Sequence, residues 1–511
     1  MNANHLFSAI RAAIPDLDKP LAIHPSGGVE TYADALATSG RLANLLVALG
    51  VEPGMRVAVQ VEKSWTALAL YLASVRAGAV FLPLNTAYTL NEVEYFLSDA
   101  QPTLFVCRPP IADAARALAA RLGVAHVETL GADGTGSLTQ AAAAQPAAFE
   151  DVARGPSNLA AILYTSGTTG RAKGAMLTHD NLLSNALTLR EYWRFTPDDV
   201  LIHALPIFHT HGLFVASNTI LVAGASMIFC PKFDAKEVLA LMGRDSFRPT
   251  CLMGVPTFYT RLLQEDGLTR EASAHMRLFI SGSAPLLAET HREFEARTGQ
   301  AILERYGMTE TNMSTSNPYD GARIAGTVGL PLPGVSLRVV DPESGAELPA
   351  DEIGMLEVKG PNVFIGYWRM PEKTAAEFRD GWFITGDLGR IDAQGYVQIV
   401  GRGKDLVITG GFNVYPKEVE GEIDAIPGVL ESAVIGVAHP DFGEGVTAVV
   451  VPQRGVAIDE AEILAALDGR IAKFKMPKRV FFVDELPRNA MGKVQKNILR
   501  DTYKDIFRSV A

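Results

Sequence analysis

The segment Tyr164-Thr-Ser-Gly-Thr-Thr-Gly-Arg-Ala-Lys173-Gly174 crowds four Ser and Thr hydroxyls, three glycines and a lysine into one turn. Such a turn suits a polyphosphate, because glycines let backbone N–H groups approach an anion closely while Ser and Thr add donors. The apolar run Leu159-Ala-Ala-Ile-Leu-Tyr164 ahead of it reads as a buried strand. The order Gly-x-x-Gly-x-x-Lys-Gly is not that of a P-loop, which places Ser or Thr after its lysine to hold magnesium; here Gly174 follows Lys173. A Gly/Ser/Thr-rich turn on its own is more often a plain solvated loop. Its meaning therefore rests on what accompanies it.

Five further segments follow in order: Glu304-Arg-Tyr-Gly-Met-Thr-Glu310, Tyr367 within Gly-Tyr-Trp, Gly381-Trp-Phe-Ile-Thr-Gly-Asp387, Gly401-Arg402-Gly-Lys404-Asp405 and Pro487-Arg-Asn-Ala-Met-Gly-Lys493. With them, nearly the whole chain resembles the adenylate-forming superfamily of acyl- and aryl-CoA synthetases, firefly luciferase and peptide-synthetase adenylation domains. The resemblance implies a ligase that uses ATP, Mg2+ and coenzyme A. A carboxylate approaches a polyanion poorly and carries a poor leaving group. Neutralising the triphosphate lets it attack the α-phosphorus, and the resulting acyl-adenylate leaves AMP when a thiol displaces it.

The same resemblance distributes roles. Thr165, Ser166, Gly167, Thr168, Thr169, Gly170 and Lys173 cradle the β- and γ-phosphates, with Arg171 a lesser rival to Lys173. Glu310, beside Thr309, is the magnesium ligand, since magnesium takes hard oxygen and few protein carboxylates. Glu304, Arg305, Tyr306, Gly307 and Met308 join the nucleotide site, with Tyr306 stacked on adenine. Ser283 and Ala284, in Ser281-Gly-Ser-Ala-Pro285, border adenine and the acyl pocket. Asp387 accepts from the ribose hydroxyls, Arg402 holds the ribose from across a domain boundary, and Gly410 and Gly411 line the pantetheine path. Lys493 bridges the substrate carboxylate and the α-phosphate, with Lys496 a nearby decoy. As an exposed catalytic lysine it is also a candidate target of a lysine acyltransferase, and loss of its charge would stop the first half-reaction.

Substrate choice rests on weaker signals. Phe208-His209-Thr-His211-Gly212 corresponds to the family segment that walls the acyl site. In Pro256-Thr-Phe-Tyr-Thr-Arg261 a helix begins with Phe258 and Arg261 on one face. An arginine there meets either a second substrate carboxylate or Glu265 on the outer surface. The surrounding sequence resembles the malonyl-CoA synthetases, which implies malonate, with His209, Arg261 and Ser283 around its distal carboxyl and Met308 limiting space at its α-carbon, methylmalonate being a possible second substrate. The alternatives are a short-chain or aryl acyl-CoA ligase of the same superfamily, a peptide-synthetase adenylation domain, a luciferase-like monooxygenase and a non-catalytic nucleotide-binding protein. The intact Glu310, Asp387, Arg402 and Lys493 speak against the last.

These residues need a scaffold, and alternating helical and strand patterns predict an α/β fold with a boundary near Gly401–Lys404, which locally reads as an ordinary hairpin turn; the resemblance implies a large multi-sheet N-terminal domain, residues 1–401, and a small mobile α+β C-terminal domain, residues 402–511, hinged near Lys404. Thr31 reads as an N-cap, Arg56-Val-Ala-Val-Gln60 and Thr103-Leu-Phe-Val-Cys107 as buried strands, and residues 131–157 as a surface connection. With 511 residues, 48% of them hydrophobic, the chain can bury large cores. A net charge of -11 argues against general nucleic-acid binding and demands local positive charge for anionic substrates. Cys107, Cys230 and Cys251 lack metal-ligand spacing and suit a reducing compartment. The amphipathic start lacks the pattern of a secretory signal, and no apolar run reaches membrane-spanning length, so the expected location is cytoplasmic, without a membrane partner.

Overall fold

The computed structural model describes residues 3–165, 172–409, 412–440, 442–489 and 492–507. Among these residues four sheets form the framework. A nine-stranded sheet is built on parallel strands Ser226–Phe229, Val200–His203, Cys251–Gly254, Leu278–Ser281 and Leu303–Met308. A six-stranded sheet contains Arg56–Gln60, Val80–Pro83 and Leu104–Cys107, and ends in the antiparallel pair Leu159–Thr165 and Lys173–Thr178. The central strands are buried on both faces, as expected where helices cover parallel sheets. Between them Trp65–Arg76 is a helix buried all round, apolar in sequence for that reason. Thr31 caps the helix Tyr32–Ala48 through a reciprocal pair with Asp34.

A five-stranded antiparallel sheet ends in Trp382–Ile391 and Val397–Arg402, whose register sets Asp387 opposite Arg402. After one tight turn, Gly403–Asp405, the chain enters a separate sheet whose long pair Val429–His439 and Gly443–Pro452 carries the helices Pro416–Asp424, Glu460–Leu467 and Lys496–Tyr503. This is an α+β unit with its own apolar cluster. One expectation fails: residues 131–157 are not simply a connection. Ser137–Ala143 is a helix, with Leu138 and Ala142 buried, because an alanine-rich run has high helix propensity and here finds the helix Tyr32–Ala48 to pack on. All three cysteines are buried and unpaired.

Candidate active site

The phosphate-loop residues Ser166 to Arg171 and the glycine pair Gly410 and Gly411 lie outside the described residues; the strands leading in and out of the loop are described. Thr165 stands opposite Lys173 in that antiparallel pair. Lys173 Nζ lies 3.2 Å from Glu377 Oε1 and 4.2 Å from the centre of the Tyr367 ring. The Tyr367 hydroxyl donates to Glu310 Oε1 at 3.0 Å. Glu310 is buried, and desolvation raises its pKa against the hydrogen bond and Lys173 that oppose it. A buried carboxylate oxygen beside the strands of a phosphate loop fits a magnesium ion that takes most of its ligands from phosphate and water.

At the next position along the cleft, the Tyr306 hydroxyl donates to Asp387 Oδ2 at 2.6 Å and Arg402 Nε lies 2.7 Å from Asp387 Oδ1. Three residues separated by almost a hundred positions thus converge, and each carboxylate oxygen of Asp387 is occupied. Lys493 reaches the same place from the small α+β unit. The residue is exposed to solvent, and its charge lies near Arg402, Asp387, Lys404 and Asp405; lost hydration followed by repulsion from Arg402 lowers its pKa to about 8. The arms of its hairpin are pinned: the Lys493 N–H donates to Asn489 Oδ1 at 3.0 Å and Arg488 Nη1 to the Gly492 carbonyl at 2.5 Å. Gly492, at φ 75°, lies against the large unit, where an added Cβ would sit 3.5 Å from Thr257 Oγ1. Lys496 turns away to Glu420, at 2.5 Å, within its own unit.

The third part surrounds Arg305. Its guanidinium lies over Gly282, where a Cβ would approach Arg305 Cζ to 2.4 Å, so a side chain at position 282 would displace the guanidinium. Arg305 is 3% exposed, its Nε and Nη2 have no hydrogen-bond partner among the described residues, and burial presses its pKa down to about 9. Its charge acts on His209, which burial and Arg305 press down to about 4, and on buried His211, pressed down likewise. Both imidazoles are therefore neutral at pH 7. His211 Nδ1 is 3.2 Å from the Ser283 hydroxyl, while its Nε2 is unpartnered. Ser283 adopts φ 72°, a left-handed conformation that a serine takes only under constraint from its surroundings.

Several expectations change in detail. Strand alternation sends Arg305 to the face opposite Glu304 and Tyr306, so its side chain joins His209 and His211 and not the Asp387–Arg402 pair. The Glu304 Oε1 is held by His291 Nδ1 at 3.0 Å and the Gly326 N–H at 3.3 Å, which makes that carboxylate a support of the strand. Gly307 is required by the crossing strand: a Cβ there would meet the Asn312 carbonyl at 1.8 Å. Met308 lies beside Tyr306, its Sδ 3.9 Å from the hydroxyl, and half-buried Thr309 leads into Glu310. Ala284 follows Ser283, also half-buried. Phe258 is buried and stacked on Phe233, whereas Arg261 is exposed and makes no ion pair with Glu265. Arg261 lies one turn from Thr257, hence on the helix face that meets Gly492. Sequence reading gave no role to His211, Tyr367 or Glu377. The paired histidines of His209-Thr-His211 were the signal for the first and the Gly-Tyr-Trp segment for the second; Glu377 announces itself only through its contact with Lys173.

The chain matches the AMP-binding enzyme family over residues 12–368 and the AMP-binding enzyme C-terminal domain over residues 418–493. It belongs to the AMP-binding enzymes. It is similar to a feruloyl-CoA synthase of Amycolatopsis, 37% identical with 94% of this chain and 95% of the relative covered, and to a malonate–CoA ligase of Arabidopsis thaliana, 32% identical over 98% and 91%. Among solved structures it resembles MatB from Rhodopseudomonas palustris in its ATP-bound form, at 67% identity, TM-score 0.97, covering 99% of this chain and 100% of that one. To apo MatB, with the same identity and coverage, the TM-score is 0.85.

Proposed function

We propose that the chain is an AMP-forming malonate–CoA ligase, converting malonate, ATP and CoA to malonyl-CoA, AMP and diphosphate. The observation that carries this reading is Arg305. A buried guanidinium without an anion is strongly unfavourable, and a substrate carboxylate supplies what the protein withholds. Neutral His209 and His211, with Ser283, offer hydrogen bonds to the same group without adding charge, and Arg261 at the mouth adds a second cation for a doubly charged acid. The similarity to a malonate–CoA ligase and to MatB supports this choice; the similarity to a feruloyl-CoA synthase supports the chemistry but fits an apolar pocket, which Arg305 disfavours.

In the first half-reaction Lys493 would neutralise the charge building between the acid and the α-phosphate, Lys173 the outer phosphates, and Asp387 with Arg402 and Tyr306 would fix the ribose. Glu310 would hold magnesium, which supplies charge neutralisation on the phosphates. The small unit, residues 402–511, would then rotate at Lys404 so that Lys493 withdraws and CoA enters past Gly410 and Gly411. Arg305→Met tests the reading: kcat/KM for malonate should fall about a hundredfold, the loss expected when a buried charged hydrogen bond to substrate goes, while the KM for ATP stays within about twofold. An unchanged malonate KM would remove Arg305 from the acyl pocket and the reading with it.

A further inference from the structure

Lys63 is a half-buried lysine, its amine turned onto His203, that none of the chemistry above uses. It lies between the strand Arg56–Gln60 and the helix Trp65–Arg76, in a loop whose neighbouring Glu62 pairs with Arg108. Among the described residues no carboxylate pairs with Lys63. Its Nζ instead lies 2.7 Å from the His203 carbonyl oxygen, 2.9 Å from His203 Nδ1 and 4.2 Å from the centre of the Phe229 ring. Burial presses its pKa down to about 7. A lysine so placed is unfavourable for folding by itself, so its retention asks for a use.

The use can be followed atom by atom. An amine that donates to His203 Nδ1 requires the tautomer with hydrogen on Nε2. That Nε2 lies 2.9 Å from the Gly212 carbonyl oxygen and 3.1 Å from the Ser217 hydroxyl, which itself donates to the same carbonyl at 2.9 Å. Gly212 belongs to His211–Ser217, a π-helical turn, a wide and strained form that persists only where its surroundings hold it. The turn is pressed against the loop before it, since a Cβ at Gly212 would meet the Pro206 carbonyl at 2.1 Å. Its first residue is His211, which faces Ser283 and shares the field of Arg305.

We propose that Lys63 is a positioning residue for the acyl pocket: by donating to His203 it selects the tautomer whose Nε2–H holds the Gly212 carbonyl, and so fixes the π-helical turn that presents His211 to the substrate acid. The assignment of that pocket rests on the function proposed above. A double-mutant cycle tests the relay. Lys63→Met removes the donor at similar volume. His203→Gln places an amide N–H toward Gly212 that needs no tautomer selection. Lys63→Met alone should raise the KM for the acid about tenfold, on the scale of one lost hydrogen bond transmitted to the site, with the KM for ATP unchanged. In the His203→Gln background the same substitution should change the acid KM by less than about twofold. The proposal is overturned if Lys63→Met leaves the acid KM alone, if the KM values for acid and ATP rise together, or if its effect is the same in both backgrounds. The assay uses whichever acid the wild-type enzyme activates best. A preference other than malonate would count against the proposed substrate while leaving this test of the relay valid.

Discussion

At the scale of single residues, the site combines charges that are useful because they are not fully satisfied by the protein. Lys493 is pressed to a pKa of about 8 by lost hydration and by Arg402. It loses its proton as pH rises through that value, so diphosphate release should decline above pH 8 and not near 10. A pH profile of acid-dependent diphosphate release measures this, and Lys493→Arg should remove the alkaline limb from whatever activity remains. Lys493→Ala should lower adenylation by at least about a thousandfold, within the range for loss of a positioned charged group, yet spare CoA capture of supplied acyl-adenylate. Equal loss of both steps would contradict its role. Lys493 was legible in the sequence from the Pro-x-x-x-x-Gly-Lys spacing. The place of Arg305 was not, because a motif read as a string does not say which face of a strand each residue takes; alternation separates it from Tyr306, its immediate neighbour.

At the scale of elements, the helix Pro416–Asp424 and strand Val429–His439 support the lysine hairpin from below. Glu420 on that helix holds Lys496, and Glu431 on that strand pairs with Arg488, the two basic residues flanking Lys493. Asp424, at the helix end, accepts from the Ser432 hydroxyl at 2.7 Å, and burial, against the opposing pull of Lys417, raises its pKa to about 7. The folded state therefore keeps a proton that the unfolded chain has lost between pH 4 and 7, and stability falls as pH rises through that window. The carboxylate at a helix C-terminus adds to the penalty. Asp424→Asn should raise the thermal midpoint at pH 8 and flatten its decline between pH 5 and 7.5; an unaltered pH dependence would assign the decline to other groups. Boundaries of elements were largely readable from periodicity and caps, as at Thr31. The helix Ser137–Ala143 was missed because its alanines look like filler until a partner helix is present.

At the scale of the molecule, Lys173, Arg402 and Lys493 come together around Glu310 and Asp387 on a chain of net charge -11. Local positive charge set in a negative body draws anionic substrates to one place only. If rotation at the Gly403–Asp405 turn carries the second half-reaction, Lys404→Pro, which fixes one backbone angle there, should leave diphosphate release intact and slow thioester formation by about tenfold or more. Parallel loss of both would argue against a hinge at this turn. Sequence order alone exposed the succession of ATP-site motifs across both units. It could not expose the contact of Gly492 with Thr257 or the relay from Lys63, since these join residues hundreds of positions apart with no local pattern. The most direct test of the central claim is ATP- and CoA-dependent thioester formation, read by mass spectrometry with malonate, methylmalonate, acetate, butyrate and a hydroxycinnamate side by side. The buried Arg305 predicts malonyl-CoA as the main product, with little thioester from the monocarboxylates. Preferential use of butyrate or the hydroxycinnamate would contradict it.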